Sequence, residues 1–157
     1  TLDDKIVGNI MYTRSYLIND NDERLETLTF GPLFVIPEYQ RKGIGSALIQ
    51  HTVQMARDRN IPALIIYGNP ANYVKHAFKN GRDYSISTPE GKYPLGLLVL
   101  ALDEAILGSQ HWSFHCSEVY NLIPEEAEAF EQSFPEKEKG YRYSQEEFSM
   151  IVRAVLE

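Results

Sequence analysis

A chain of 157 residues and 18.0 kDa, 43% hydrophobic, has the length of one domain and enough apolar material to bury a core without disulfide or metal staples. Its formal net charge of −7 argues against a nucleic-acid binder, which needs a basic face to displace counterions. One cysteine, Cys116, excludes an internal disulfide and fits a reducing, cytoplasmic setting; the longest apolar run, LGLLVLAL, falls far short of the ~20 residues of a membrane helix.

In chain order, residues 6–16 read as a strand, with Ile6, Val7, Ile10, Tyr12 and Tyr16 supplying β-branched and aromatic side chains. The polar cluster NDNDE turns the chain into a second strand, LETLTFGPLFVIP, and the two are expected as an antiparallel hairpin. Gly31-Pro32 interrupts that second strand. Proline has no N–H for the ladder, so the interruption predicts a bulge or a local parting from a neighbouring strand. Residues 44–59 carry helical periodicity, with Ile44, Ala47, Leu48, His51 and Met55 at the spacing of one buried face. That spacing places His51 in the core or at an interface. IPALIIYG is a nearly continuous apolar run, as expected of a strand inside a sheet. NPANYVKHAF opens a short helix, with Asn69 as N-cap and Pro70 at the first helical position. After a Gly/Pro-rich loop, LGLLVLAL is another buried strand.

Beyond Gly108 the character changes. HWSFHCSEVY alternates like a last strand, and IPEEAEAFEQSF is a short acidic helix with a solvated face. SQEEFSMIVRAVLE combines a capping box, Ser144 with Glu147, with an apolar stripe of Phe148, Ile151, Val152 and Val155. The succession strand, strand, helix, strand, helix, strand defines a mixed α/β domain. Residues 1–108 are expected to form the core and residues 109–157 a C-terminal strand and helical extension packed on it.

The chemistry concentrates in PEYQRKGIGSAL, residues 37–48. Gly43 and Gly45 stand where a helix should start, and each weakens it by roughly 1 kcal/mol relative to alanine. A strand that ends in a glycine loop and runs into a helix leaves free backbone N–H groups, which together with the helix dipole attract anions, phosphate in particular. Arg41 and Lys42 add positive charge. The competing explanation is that the two glycines only ease tight packing of helix on strand. Two familiar nucleotide loops do not fit. Gly45 is followed by Ser46-Ala47 rather than by Lys-Ser/Thr, and Leu48 occupies the place of the third glycine of the dinucleotide fingerprint.

Gln40-Arg41-Lys42-Gly43-Ile44-Gly45, with a strand before it and a helix after, resembles the acetyl-CoA signature of the GNAT acetyltransferases, Gln/Arg-x-x-Gly-x-Gly/Ala. YGNPANYVKHAF is similar to the Gly-Asp-Pro-x-Tyr-Tyr-x-x-x-Gly-Phe segment of one branch of predicted N-acetyltransferases. Asn72 departs from that pattern at the first tyrosine, and His76-Ala77-Phe78 departs from it at the Gly-Phe end. The resemblance implies a GNAT-like acyl-CoA N-acyltransferase fold. It also implies transfer of an acetyl group from acetyl-CoA, without a metal, to a primary amine on a small molecule or peptide. In its terms the main chain of Leu33, Phe34 and Val35 receives pantetheine, and the loop from Arg41 through Lys42, Gly43, Ile44 and Gly45 to Ser46 holds the pyrophosphate. Gly31-Pro32 then marks where the strand bends away to admit the pantetheine arm.

Tyr73 aligns with the family's helix tyrosine, which serves the leaving sulfur. A phenol with a pKa near 10 keeps its proton at neutral pH and can give it to a departing thiolate. Thr29 stands closest to the position of the family's base glutamate, and Glu26, at odd spacing on the same strand, points to the other face. No base is therefore assigned, and transfer without one requires an amine that arrives neutral. Family members carry a strand and one or two helices ahead of the DDKIVG strand, so an incomplete first part of the sheet is expected. Neither nucleic acid nor membrane is expected as a partner, and a homodimer stays open. A non-catalytic acyl-CoA-binding domain and a binder of some other diphosphate are the alternatives.

For His76 two places are open, the active-site end of the helix and an exposed helix position, and the exposed one is expected. His111 and His115 share a strand face with Cys116 on the opposite one, and no fourth ligand offers itself for a metal. Cys116 lacks the electropositive setting of a nucleophile.

Overall fold

The computed structural model describes residues 1–2, 4–136 and 140–157. Strands β1 (Gly8–Asn19) and β2 (Arg24–Val35) form the expected antiparallel hairpin. Its turn is tied by the Asn19 side chain, whose Oδ1 accepts from the N–H groups of Asn21 and Glu23 at 3.0 and 2.9 Å. Helix α1 (Ile44–Asp58) leads to β3 (Ala63–Tyr67), then to the short helix α2 (Pro70–Tyr73). Short strands β4 (Lys79–Asn80), β5 (Ile86–Ser87) and β6 (Tyr93–Pro94) precede β7 (Leu97–Ala101). Helix α3 (Glu104–Leu107) and strand β8 (Trp112–His115) follow, then α4 (Pro124–Glu131), α5 (Tyr143–Arg153) and β9 (Val155–Leu156).

Among the described residues seven strands form one mixed sheet in the order β4-β7-β3-β2-β1-β8-β5, and β6 pairs with β9 in a small second ladder. The central strands β3 and β7 are buried on both faces, which accounts for their unbroken apolar runs. Strand alternation divides their side chains between two cores. Ala63, Ile65, Leu97 and Val99 pack with Leu17, Ile86, Trp112 and Phe114 on one face. Leu64, Ile66, Leu98 and Leu100 pack with Phe30, Phe78 and the α1 residues Ile49 and Ala56 on the other. At about 1.5–3 kcal/mol for each fully buried large side chain, these two clusters hold the sheet and fix α1 against it.

Four expectations need correction. Helix α1 is turned by about one residue, roughly 100°, from the predicted face. Ile49 and Ala56 are buried with Thr52 and Val53 half-buried, while His51 and Met55 face solvent. Thr52 belongs inside because its hydroxyl meets Tyr12 Oη at 2.8 Å, a contact to β1 that periodicity cannot register. The outer edge of β1 is not left open throughout. β8, from the C-terminal part of the chain, pairs with it antiparallel from Tyr16↔His115 to Asn19↔Trp112. The proposed Ser144–Glu147 capping box is absent, because α5 begins at Tyr143 after Arg142 and no side chain caps it. The apolar stripe of α5 is not buried either. Phe148, Val152 and Val155 are exposed, and Ile151 alone of the four turns inward, against Gly96. The end of the chain is secured instead by β9 and by the Leu95 N–H, which donates to Ala154 O at 2.7 Å.

Candidate functional site

The site begins where β2 leaves its neighbours. In the hairpin ladder the register runs from Tyr12↔Phe30 to Ile10↔Leu33, so Met11 faces the two residues Gly31 and Pro32, and a bulge lies at the expected place. On its other side β2 is paired with β3 at one point, Leu28↔Leu64. Past that point the two strands part. A cleft of about 470 Å³ opens there, within the size range of small-molecule sites. Leu33, Phe34 and Val35 line one wall, and Asn72, Tyr73, Lys75 and His76 line the opposite one. Arg41 and the first turn of α1, residues 43–46, close the end.

That end is built to present backbone donors. Gln40 ties the loop to its strand, donating from Nε2 to Val35 O at 2.9 Å. Gly43 is the N-cap of α1 with φ +82°, a left-handed conformation that favours glycine, and no side chain caps the helix. The N–H groups of Ile44, Gly45 and Ser46 therefore have no acceptor within the helix. Packing does not explain the glycines. A Cβ at Gly43 would meet nothing within 4 Å, and one at Gly45 would meet only Val35 Cγ2 at an ordinary 3.9 Å. What the missing Cβ at Gly45 leaves is a bare backbone facing the cleft.

Tyr73 is half-buried against the rings of Phe30 and Phe78, at centroid distances of 5.7 and 5.8 Å. Its ring lies so close to Gly68 that a Cβ there would come within 2.6 Å of it. Burial raises the Tyr73 phenol above its ordinary pKa of 10.0, so it holds its proton more firmly than a free tyrosine. His76 is half-buried rather than exposed, and its Nε2 lies 3.4 Å from Ser46 Oγ across the cleft end. Lys42 is not on the walls; its ammonium rests over the Tyr39 ring at 5.2 Å. The other predicted binding residues all line the cleft, together with Tyr39, Gln40, Ile49, Asn72, Lys75 and His76, which sequence reasoning did not place there. The departures from the family pattern at Asn72 and His76 were the available signal for two of them.

On the face of the sheet away from α1, the parted strands carry a different set of groups. Thr29 is 5% exposed, and its Oγ1 is a buried polar atom with no hydrogen-bond partner. Tyr120, from the segment after β8, brings its hydroxyl to Gly31 O at 3.3 Å and to Thr13 Oγ1 at 3.5 Å. Tyr67 at the end of β3 has its phenol pushed up to about 12 by burial, then by Cys116 and Glu90. Glu26 is on the opposite face, as alternation required, in a loose exposed pair with Arg14 at 3.9 Å.

One other cluster has the outward form of a catalytic triad. Ser87 Oγ lies 2.9 Å from His111 Nε2, and His111 Nδ1 lies 3.0 Å from Asp20 Oδ1. Ser87 is completely buried and its hydroxyl donates to Thr88 O at 2.8 Å, so no substrate carbonyl can reach it. The cluster joins β5 to the hairpin turn. His115 stacks on Tyr16 at 5.0 Å, and burial raises the thiol of Cys116. No group of three or more metal-ligating side chains is present among the described residues, nor is any helix there long and apolar enough to cross a membrane.

With its sheet parted at one strand and a glycine loop feeding an uncapped helix into the gap, the chain belongs to the acetyltransferase (GNAT) family, whose model matches residues 1–79. Over 75 residues it is 33% identical to YjhQ of Escherichia coli K12, an uncharacterized N-acetyltransferase. The alignment takes in 48% of this chain and 41% of YjhQ, so the chain spans about two fifths of the length of that curated relative. Among solved structures, the fold is similar to that of the GNAT-family protein YhbS of E. coli, in complex with CoA, with a TM-score of 0.63 at 18% identity. That match covers 75% of this chain and 64% of YhbS. It is also similar to a GNAT-family acetyltransferase of Brucella melitensis in complex with acetyl-CoA, with a TM-score of 0.53 at 18% identity over 75% of this chain and 63% of the other. These two likenesses establish a shared fold.

Proposed function

We propose that the chain carries the acyl-donor site of an N-acetyltransferase that moves an acetyl group from acetyl-CoA to a primary amine by direct attack. The observation that carries this reading is the first turn of α1, which is uncapped and opens on the cleft through glycines that packing does not require. A diphosphate satisfies those N–H groups and the positive end of the helix together. In this reading residues 43–46 and Arg41 hold the diphosphate, and Lys42 adds charge from beside the cleft. The main chain of Leu33, Phe34 and Val35, unpaired on the β3 side among the described residues, holds the pantetheine arm. The CoA and acetyl-CoA in the two structures of the same fold support the choice of ligand. Residues 1–108 form the acyl-CoA core, and residues 109–157 an extension that adds β8 to the sheet and Tyr120 to its far face.

The amine reaches the thioester from the face that carries Thr29, Tyr67 and Tyr120. Its nitrogen lone pair attacks the carbonyl carbon, and the tetrahedral adduct collapses with cleavage of the C–S bond. Tyr73 gives its proton to the departing sulfur and recovers one, through water, from the nitrogen of the new amide. The products are an N-acetyl amide and CoA thiol. The Thr29 hydroxyl is no base at neutral pH, so the reacting amine is the fraction that arrives unprotonated. The test is calorimetry with acetyl-CoA followed by a thiol-release assay over a panel of small-molecule and peptide amines. Sub-millimolar binding with amine-dependent thiol release is expected. Binding without release from any amine would leave a non-catalytic acyl-CoA-binding domain, and no binding would remove the reading.

A further inference from the structure

We infer that His76 is a diphosphate-binding residue of the donor site, which takes up a proton as the ligand enters and so makes CoA binding proton-linked. The inference rests on the donor-site reading above and deepens it. His76 stands on the wall facing the first turn of α1, and its Nε2 is 3.4 Å from the Oγ of Ser46, whose own amide is one of the three unsatisfied N–H groups. A diphosphate seated on those amides lies beside the imidazole. The charged groups around His76 are cations. Lys75 adjoins it on its own segment, Arg41 lines the same cleft from the loop, and the first turn of α1 contributes no acid. Tyr73, the other titratable side chain on its wall, keeps a neutral phenol. Among the described residues no carboxylate lines the cleft, so nothing in the free site rewards a proton on the ring.

Burial first, and then the Lys75 ammonium, lower the His76 pKa from its ordinary value. The free protein near neutral pH therefore presents a neutral ring. Two phosphate charges within hydrogen-bond reach reverse that balance, because an adjacent anion favours the imidazolium. By linkage, a ring whose titration moves up on binding tightens binding as pH falls, by at most about tenfold per pH unit for one proton. The sign runs against that of free CoA, whose 3′-phosphate gains a proton, and loses charge, over the same range.

The probe is therefore dephospho-CoA, in which no group titrates between mildly acidic and mildly alkaline pH. Calorimetry in two non-phosphate buffers of different ionisation enthalpy gives the protons bound per ligand. A net uptake approaching one proton is expected, with affinity rising about fivefold or more from pH 8 to pH 6. In His76→Gln, which keeps a hydrogen-bonding side chain for Ser46, the proton uptake and the pH slope disappear. An NMR titration of the four histidine rings of the unaltered protein needs no variant. One ring should titrate at higher pH with the probe bound than without it. Binding that is independent of pH, uptake that persists in His76→Gln, or four rings that ignore the probe would each overturn the inference. Absence of binding at every pH would instead count against the donor site itself.

Discussion

Helix α1 and the four other α-helices among the described residues differ at their first turns. Asn69 caps α2, its Oδ1 accepting from the Ala71 N–H at 3.0 Å. Asp103 caps α3 and accepts from Ala105 and Ile106 at 3.0 and 3.1 Å. Helices α4 and α5 have no side-chain cap, but each places acids in its first turn, Glu125 and Glu126 in one and Glu146 in the other. Helix α1, the longest at 15 residues, has neither a cap nor an acid, and is preceded by Arg41 and Lys42. Either device would stabilise it by about 0.3–2 kcal/mol. Leaving both out lowers helix stability and, in the proposed reading, leaves the helix end for an added anion to complete. Among the described helices, the one whose first turn opens on the cleft has neither device, and each of the others has at least one.

Erasing that difference should have the largest effect. Gly45→Asp puts an acid into the first turn of α1, where the Cβ has room. Acetyl-CoA affinity should fall by about 100-fold or more, some 2.7 kcal/mol, while thermal unfolding shows a helix that is no weaker. Tyr73→Phe should come next, with turnover down about 100-fold and acetyl-CoA affinity unchanged in calorimetry. Because burial raises this phenol, the acid form persists to higher pH than in a free tyrosine, so turnover should not decline through Tyr73 below about pH 10. A Tyr73-dependent fall near neutrality would contradict the assignment. A smaller effect is expected from Arg41→Ala, about fivefold to tenfold in acetyl-CoA affinity, against less than about twofold for Lys42→Ala, whose ammonium sits over Tyr39 and off the walls. On the other side of the comparison, Asp103→Ala should cost about 1 kcal/mol in chemical denaturation and leave acetyl-CoA affinity alone.

The β2 wall and the glycine-loop end of the cleft were legible because their signal is local. The glycines, the preceding strand, the Gly31-Pro32 interruption and the Asn69-Pro70 helix start all lie within about forty residues, and each states a backbone requirement that a side-chain inventory exposes. The rotation of α1 was not legible. Two stripes compete on that helix, and the predicted one contains Ile44, Leu48 and Met55, whereas the true one runs through Gly45, Ile49, Thr52, Val53 and Ala56. Glycine and threonine depress the apolar count of the buried face, and the Thr52–Tyr12 hydrogen bond that compensates is a contact across 40 residues. The pairing of β8 with β1 joins positions about a hundred residues apart, and no local pattern specifies it. His76 was misplaced for a related reason. Its short segment has no periodicity to fix a face, and the 3.4 Å contact with Ser46 exists only once the turn after α2 meets the first turn of α1.

The proposed donor site makes the free amides at the start of α1 the seat of an acyl-CoA diphosphate. The most direct measurement is a ¹⁵N amide titration of the protein with CoA. The largest shifts should fall on Ile44, Gly45 and Ser46 and saturate together with Leu33, Phe34 and Val35, while the capped first turns of α2 and α3 stay still. Saturable binding that leaves those three amides unmoved, or moves the helix starts alike, would contradict it.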